Sequence, residues 1–173
     1  MTSDARYESI RLILSDVDGV LTDGGVVFDN QGIEVKRFHI RDGLGIKLWQ
    51  RAGYRFGLVT GRSSHIVQVR AAELDIGIVR QGLAEKTPAV EAILRELKLD
   101  WPQLCYIGDD LPDLPVICKA GLGVAVADAA EEVRTRAAHV TTAPGGAGAV
   151  RETVELILKS QRRWDELIHR YLE

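Results

Sequence analysis

Short apolar segments that alternate with amphipathic ones constrain the fold of this chain more than any other feature of its sequence. Six segments resemble buried strands: 10–15, 55–59, 76–80, 104–107, 122–126 and 138–142. Between them lie five segments with apolar residues at helical spacing: 44–52, 64–74, 87–98, 112–119 and 129–137. This order predicts an α/β fold with a doubly wound, mainly parallel sheet that is covered by helices on both faces. A length of 173 residues suits one such domain over 1–173.

Two further segments do not follow this alternation. Residues 25–39 hold two β-prone stretches, 26–28 and 34–38, around the turn-like 29–32, and this pattern predicts a β-hairpin directly after the first strand. A plain doubly wound fold would have a helix there. Residues 148–172 predict a C-terminal helix whose apolar stripe needs a surface to pack against.

Charge, apolar runs and cysteines exclude several classes of protein. The 22 Lys and Arg against 25 Asp and Glu do not favour a polyanion-binding surface, so we expect no nucleic-acid partner. Residues 1–11 lack the pattern of a signal peptide, and no apolar run reaches the roughly 20 residues of a membrane span. Cys105 and Cys118 form no CxxC pair and suit free thiols in a reducing compartment. We therefore expect a cytoplasmic protein without membrane insertion.

Acidic residues follow two of the predicted strands. Asp16 and Asp18 come after the first strand, and Asp109, Asp110 and Asp113 come after the fourth. Each group alone fits helix capping or turn formation. In an open α/β sheet, however, the carboxyl ends of parallel strands form the ligand site, and close carboxylates repel one another unless a cation lies between them. Together the two groups predict a Mg²⁺ site.

A hydroxyl and a lysine complete the pattern. Thr60 and Gly61 follow the second strand, where a hydroxyl and backbone N–H groups can bind a phosphate oxygen. Lys86 precedes a predicted helix, where its charge opposes the helix dipole and suits contact with an anion. Turn chemistry for Thr60 and an exposed surface position for Lys86 are the alternative interpretations.

In this order the residues resemble the four motifs of the haloacid dehalogenase superfamily of phosphohydrolases. The resemblance implies that Asp16 is a nucleophile that forms an aspartyl-phosphate and that Asp18 is the general acid and then the base. It also implies Mg²⁺ bound by Asp16, the backbone carbonyl of Asp18 and Asp109, with Thr60 and Lys86 on the phosphate oxygens.

Two acidic residues have supporting roles in this interpretation. Asp113 would orient Lys86 or a metal-bound water. Asp110 is either a further ligand or a helix cap.

The chain resembles one phosphatase family of this superfamily more specifically over about residues 10–160. The family is that of the 3-deoxy-D-manno-octulosonate 8-phosphate phosphatases, and the matching segments are LSDVDGVLTDG, RFHIRDGLGI, VTGR, YIGDDLPDLPV, GLGVAVADA and PGGAGAVRE. The resemblance implies a homotetramer whose hairpins form a central barrel, and a substrate made for lipopolysaccharide. Between Thr60 and Lys86 the 25 intervening residues leave no space for a cap domain, so we expect a capless enzyme.

The implied substrate carries a carboxylate besides its phosphate. Arg62 and Arg70, at positions where the family carries arginine, are candidates to bind it, and their spacing of about two helical turns lets both face the same side. Gly61, His39 and Arg41 are further candidates. For Arg70 a solvent-facing position is an equal alternative, and His39 also suits a structural role in the hairpin.

Three other functions remain open at this stage. A sibling phosphatase that acts on a nine-carbon, sialic acid-type sugar 9-phosphate would carry the same motifs. A phospho-accepting receiver domain also uses Asp, Thr and Lys around Mg²⁺, although its acceptor Asp lies on a later strand, before the Thr. A non-catalytic regulatory subunit is disfavoured by the presence of both Asp16 and Asp18.

Overall fold

The computed structural model describes residues 5–172 and contains a six-stranded parallel sheet. Its strands lie in the order β5-β4-β1-β6-β7-β8. Their bounds are β1 Leu12–Ser15, β4 Arg55–Val59, β5 Ile78–Arg80, β6 Leu104–Gly108, β7 Leu122–Ala125 and β8 His139–Val140. All four residues of β1 are buried, as its apolar sequence predicts for a central strand.

The strand order reverses at β1. The chain runs outward from β1 through β4 to β5, then returns to β6 on the other side of β1 and continues to β7 and β8. In register, Ser15 at the end of β1 lies between Leu58 of β4 and Ile107 of β6. The loop that follows β1 therefore begins at the topological switch point, where open α/β sheets bind their ligands.

Helices form two groups around this sheet. The helix bounds are α1 Ala5–Ser9, α2 Ile40–Arg51, α3 His65–Glu73, α4 Thr87–Leu97, α5 Leu114–Ile117, α6 Glu131–Arg136, α7 Ala149–Ser160 and α8 Trp164–Ile168. In the first group, α1 and α2 pack against α7, and Gly43 of α2 faces Arg70 and Leu74 at α3. In the second group, α5 packs against both α4 and α6. Because parallel crossovers are right-handed in nearly all proteins, the reversal of strand order puts the two groups on opposite faces of the sheet. The doubly wound prediction is therefore confirmed.

The predicted hairpin is present as a separate two-stranded antiparallel sheet of β2 Val27–Phe28 and β3 Glu34–Val35. It is inserted between β1 and α2, the helix of the first crossover. No further domain is inserted among residues 5–172, and no helix there is long and apolar enough to cross a membrane.

Some predicted boundaries were wrong. The helix predicted over 148–172 ends at Ser160, because Arg162 adopts a left-handed conformation with φ +57° that a continuous helix cannot contain. A second short helix, α8, and a 3₁₀ turn, His169–Tyr171, follow. The helix predicted to begin at 44 begins at Ile40, since the His39 side chain accepts a hydrogen bond from the N–H of Arg41 and caps it.

Candidate active site

Asp16 lies directly beyond β1 at the switch point. Its N–H continues the sheet ladder to the carbonyl of Ile107, with an N···O distance of 3.0 Å. Its Oδ1 accepts a hydrogen bond of 2.6 Å from the N–H of Val17, and its Oδ2 lies 2.6 Å from Lys86 Nζ. The carboxylate is therefore held from two sides.

Lys86 joins two acidic residues that are far apart in sequence. It precedes α4, is 4% exposed, and contacts both Asp16 Oδ2 and Asp113 Oδ1 at 2.6 Å. Burial lowers the pKa of Lys86, but the charges of Asp113 and Asp16 outweigh it and raise the pKa above its usual value. Lys86 therefore stays protonated and able to bind an anion.

Asp113 is a fully occupied hydrogen-bond acceptor. Its Oδ1 accepts from Lys86 and, at 2.6 Å, from the hydroxyl of Tyr106. Its Oδ2 accepts from the N–H groups of Asp109 and Asp110 at 3.0 and 3.3 Å. These bonds orient Lys86 and fix the loop after β6, and they leave Asp113 poorly suited to bind a metal ion.

Asp109, in contrast to Asp113, has a carboxylate oxygen without a hydrogen-bond donor in the described part of the chain. Its Oδ1 is buried and has no hydrogen-bond partner among residues 5–172. A buried carboxylate oxygen without a donor is costly, so this atom requires a ligand that the chain does not supply.

Asp16 and Asp109 titrate at unusually high pH. Burial, followed by the charge of Asp113, raises the pKa of Asp16 to about 6 and that of Asp109 to about 8. Both pKa values are raised because a negative charge on Asp16 or Asp109 is buried and is repelled by the charge of Asp113. A divalent cation would remove this cost.

Carboxylate oxygens of Asp16, Asp109 and Asp113 lie within 4.8 Å of one another. Since Asp113 is already saturated with hydrogen bonds, the side chains that fit a metal ion best are Asp16 and Asp109. This donor set of hard oxygens, one of them unpaired, fits Mg²⁺.

A cleft of about 310 Å³ opens above these residues. Its lining contains eight of the residues that the sequence predicted for the site: Asp16, Asp18, Thr60, Gly61, Arg62, Lys86, Asp109 and Asp110. Thr60 is 2% exposed at the end of β4, where its N–H bonds to the carbonyl of Arg80. The ends of β1, β4 and β6 and the start of α4 thus converge, as the motif order predicted.

Three predicted substrate-binding residues lie outside this lining in the single chain. Arg70 stacks over Phe38 and pairs with Glu73 at 2.8 Å. His39 caps α2, and Arg41 lines a different cleft beside α7. Their assignment to substrate binding therefore stays a prediction, and Arg70 and His39 each have a structural role within their own chain.

Several residues of the site were not predicted. Tyr106 was assigned only to a buried strand, although a tyrosine in an apolar run signals a buried hydroxyl that needs a partner. Lys36 of the hairpin hydrogen-bonds to Asp18, and Glu34 pairs with Arg62 at 2.8 Å. Gly19, with φ +86°, leaves the space that Asp109 occupies. Only the tertiary structure shows these contacts with the residues of the site.

The fold and site are those of a haloacid dehalogenase-like hydrolase, and the model of that family matches residues 76–150. The chain is also 43% identical to the 3-deoxy-D-manno-octulosonate 8-phosphate phosphatase KdsC of Escherichia coli K12, over 94% of this chain and 86% of the relative. The chain belongs to this family of phosphatases.

Two solved structures support this membership. The 3-deoxy-D-manno-octulosonate 8-phosphate phosphatase of Moraxella catarrhalis, solved with a magnesium ion, a phosphate ion and KDO, is 40% identical, covers 96% of each chain and superimposes with a TM-score of 0.95. The cobalt-bound enzyme of Haemophilus influenzae is 40% identical with a TM-score of 0.88 and covers 91% of this chain and 92% of its own.

Proposed function

We propose that this enzyme hydrolyses 3-deoxy-D-manno-octulosonate 8-phosphate to the free sugar acid and phosphate, as a step that serves lipopolysaccharide synthesis. The observation that carries the proposal is the convergence of Asp16, Lys86 and Asp109 in one cleft of a chain from this family. The Moraxella relative, with KDO and phosphate bound, supports the choice of substrate.

Asp16 and Asp109 side chains, with the backbone carbonyl of Asp18, would hold Mg²⁺. When bound, the ion neutralises negative charge on the phosphate and on the attacking carboxylate. The buried, unpaired Oδ1 of Asp109 and the magnesium of the Moraxella structure support this ligand set.

Asp16 would attack phosphorus with a carboxylate oxygen while the bond from phosphorus to the sugar oxygen breaks, giving an aspartyl-phosphate. Asp18 donates a proton to the leaving sugar oxygen, then accepts one from the water that attacks phosphorus and releases phosphate and the free Asp16 carboxylate. Lys86 and Thr60 bind phosphoryl oxygens as charge develops on them. Asp113 keeps Lys86 directed at Asp16.

Among the predicted substrate-binding arginines, Arg62 is best placed to bind the substrate carboxylate. It lines the cleft, and its Nη1 is buried without an acceptor among the described residues. A guanidinium with a free N–H suits a carboxylate. Arg70, His39 and Arg41 would contribute only through a neighbouring subunit or a rearrangement.

A homotetramer in the cytoplasm completes the proposal. The hairpin exposes Val27, Phe28 and Val35, each more than half accessible, and exposed apolar side chains grouped in this way favour an interface. The free thiols of Cys105 and Cys118 suit a reducing compartment.

The test is phosphate release from 3-deoxy-D-manno-octulosonate 8-phosphate and from a nine-carbon acidic sugar 9-phosphate, with and without EDTA. We expect faster turnover of the eight-carbon ester, loss of activity on chelation and recovery with Mg²⁺. Asp16→Asn should lower turnover by more than about 10³-fold, because an amide cannot form the acyl phosphate.

Asp165→Asn is the matched control, since Asp165 is exposed on α8. It should keep wild-type activity. Preference for the nine-carbon ester would replace the proposed substrate, whereas activity that survives Asp16→Asn or thorough chelation would remove the proposed mechanism.

A further inference from the structure

The hairpin has a charged face that points into the protein. The Lys36 side chain is only 1% exposed and that of Glu34 is 16% exposed. Ile33 and Val35, which alternate with them, are 56% and 52% exposed. Because successive side chains of an extended segment point to opposite faces, the apolar face is outside and the charged face is against the cleft.

Lys36 connects three parts of the active site. Its Nζ donates a hydrogen bond to Asp18 Oδ1 and lies 3.1 Å from Glu34 Oε1. The same Glu34 oxygen lies 2.8 Å from Nη2 of Arg62. The series Asp18, Lys36, Glu34, Arg62 therefore crosses the cleft from the loop after β1 to the loop after β4.

Burying the Lys36 ammonium group has a cost in free energy. A buried ammonium loses its hydration and is stable only when carboxylates replace the water. Asp18 and Glu34 do so for Lys36, whereas neighbouring Arg37 points outward with its side chain 83% exposed and pairs with Asp23 at the surface. The contrast between two adjacent cations singles out Lys36.

We propose that Lys36 is a positioning residue that holds the Asp18 carboxyl toward the cleft during both proton transfers. The inference rests on the proposed function, in which Asp18 gives a proton to the leaving oxygen and takes one from water. Lys36 engages Oδ1, which leaves Oδ2 to exchange the proton. The hairpin, absent from a plain doubly wound fold, thus contributes to catalysis through a side chain of its own chain.

Lys36→Met and Lys36→Gln test this inference, with Arg37→Met as the control that removes the same charge from the adjacent position. Loss of positioning should lower kcat on the sugar phosphate by about tenfold to a hundredfold and change KM by less than about threefold. Arg37→Met should match the wild type in both constants. Thermal unfolding and native mass of each variant identify any loss of folding or assembly, and Lys36→Gln, which keeps a polar donor, covers the case in which Lys36→Met does not fold.

A substrate with a different leaving group gives a second test, whose result should not change if Lys36 has a purely structural role. p-Nitrophenolate leaves without protonation, so in the Lys36 variants the first step stays fast while water attack, which needs Asp18 as base, is slow. We expect a burst of about one p-nitrophenol per site with p-nitrophenyl phosphate and no burst with the sugar phosphate.

Unchanged kcat in folded Lys36 variants, an equal loss in Arg37→Met, or a loss confined to KM would overturn the inference. Asp18→Asn separates this result from the proposed function. If Asp18→Asn keeps turnover, the proposed role of Asp18 is wrong; if it is inactive while the Lys36 variants are unaffected, only the role of Lys36 is wrong.

Discussion

Gly19 determines how closely the loop after β1 approaches Asp109. A Cβ at this position would lie 2.0 Å from Asp109 Oδ2, so the Asp109 carboxylate would have to move away. The residue also has φ +86°, a conformation that glycine adopts without strain. One hydrogen atom in place of a methyl group thus allows carboxylates from two distant segments to meet.

Gly19→Ala should therefore remove activity rather than only destabilise the chain. The added methyl group displaces the Asp109 carboxylate and weakens Mg²⁺ binding, so we expect activity to fall by at least about a hundredfold. Phosphate release measured over a range of Mg²⁺ concentrations should show a higher metal requirement.

Gly53→Ala separates the two effects at Gly19. Gly53 has φ +89°, but no atom lies within 4 Å of the position that a methyl group would take there, so this variant bears the backbone strain without the clash. It should lose about 1–2 kcal/mol of unfolding free energy and keep its Mg²⁺ requirement. Equal metal requirements in both variants would contradict the steric explanation.

At the scale of elements, the loop between β8 and α7 supports the active-site loop from behind. Gly146 donates a hydrogen bond of 2.8 Å to the carbonyl of Val20. Glu152 of α7 holds the start of this loop, because it accepts hydrogen bonds of 2.8 and 2.9 Å from the N–H groups of Thr142 and Ala143. A helix that lies far from Asp16 and Asp18 in sequence therefore stabilises the loop that carries them.

The pH dependence of stability should report this contact. Burial raises the pKa of Glu152, but the hydrogen bonds from Thr142 and Ala143 outweigh it and lower the pKa below its usual value. A carboxyl with a lowered folded-state pKa adds stability above its unfolded pKa and loses it as the pH falls through the folded value. Because Glu152 is partly exposed and solvent screens its charge, Glu152→Gln should cost only about 0.5–1 kcal/mol of unfolding free energy at pH 7, and the difference from the wild type should shrink in acid.

Denaturant unfolding at neutral pH and again in acid, below the folded-state pKa of Glu152, measures this difference. Glu131→Gln is the control, because Glu131 is exposed on α6. If the loss of unfolding free energy in Glu152→Gln does not depend on pH, the shape of the Glu152 side chain and not its charge stabilises the loop.

At the scale of the whole molecule, the hairpin is polar toward its own chain and apolar toward the outside. Val27 lies opposite Val35 in the antiparallel pair, and Ile33, two residues before Val35, is 56% exposed on the same side. This is the reverse of what a monomer in water requires, since it leaves apolar area in solvent. Assembly through this face would bury it.

Ile33→Glu together with Val35→Glu should dissociate the proposed tetramer, because like charges would replace apolar contacts on this face. Native mass spectrometry or light scattering should record a fall from the mass of four chains toward that of one. Val69→Glu, on the exposed side of α3, should leave the mass unchanged. An unchanged mass for the hairpin variant would place the interface elsewhere.

The elements that the sequence predicted correctly are those that depend on local pattern. Buried strands such as β1 and β6 need continuous apolar runs, and the chain must turn where such a run ends, so Asp16 and Asp109 could be assigned to strand ends. The break in the C-terminal helix could not be predicted, because nothing in the sequence around Arg162 indicates that this residue adopts a left-handed conformation. The resemblance had implied that Asp113 orients Lys86, and the structure shows this contact, but the hydroxyl of Tyr106, which reaches Asp113 from β6, could not be predicted from the sequence.

The amino-acid sequence alone determined the alternating α/β architecture, the hairpin and the acids, threonine and lysine of the site, because periodicity and residue type are local properties. Only the tertiary structure decided the order of the strands, the saturation of Asp113, the buried unpaired oxygen of Asp109 and the link from Lys36 to Asp18. These features depend on which side chains meet after the sheet has wound, and on the loss of water that makes every unpaired charge costly.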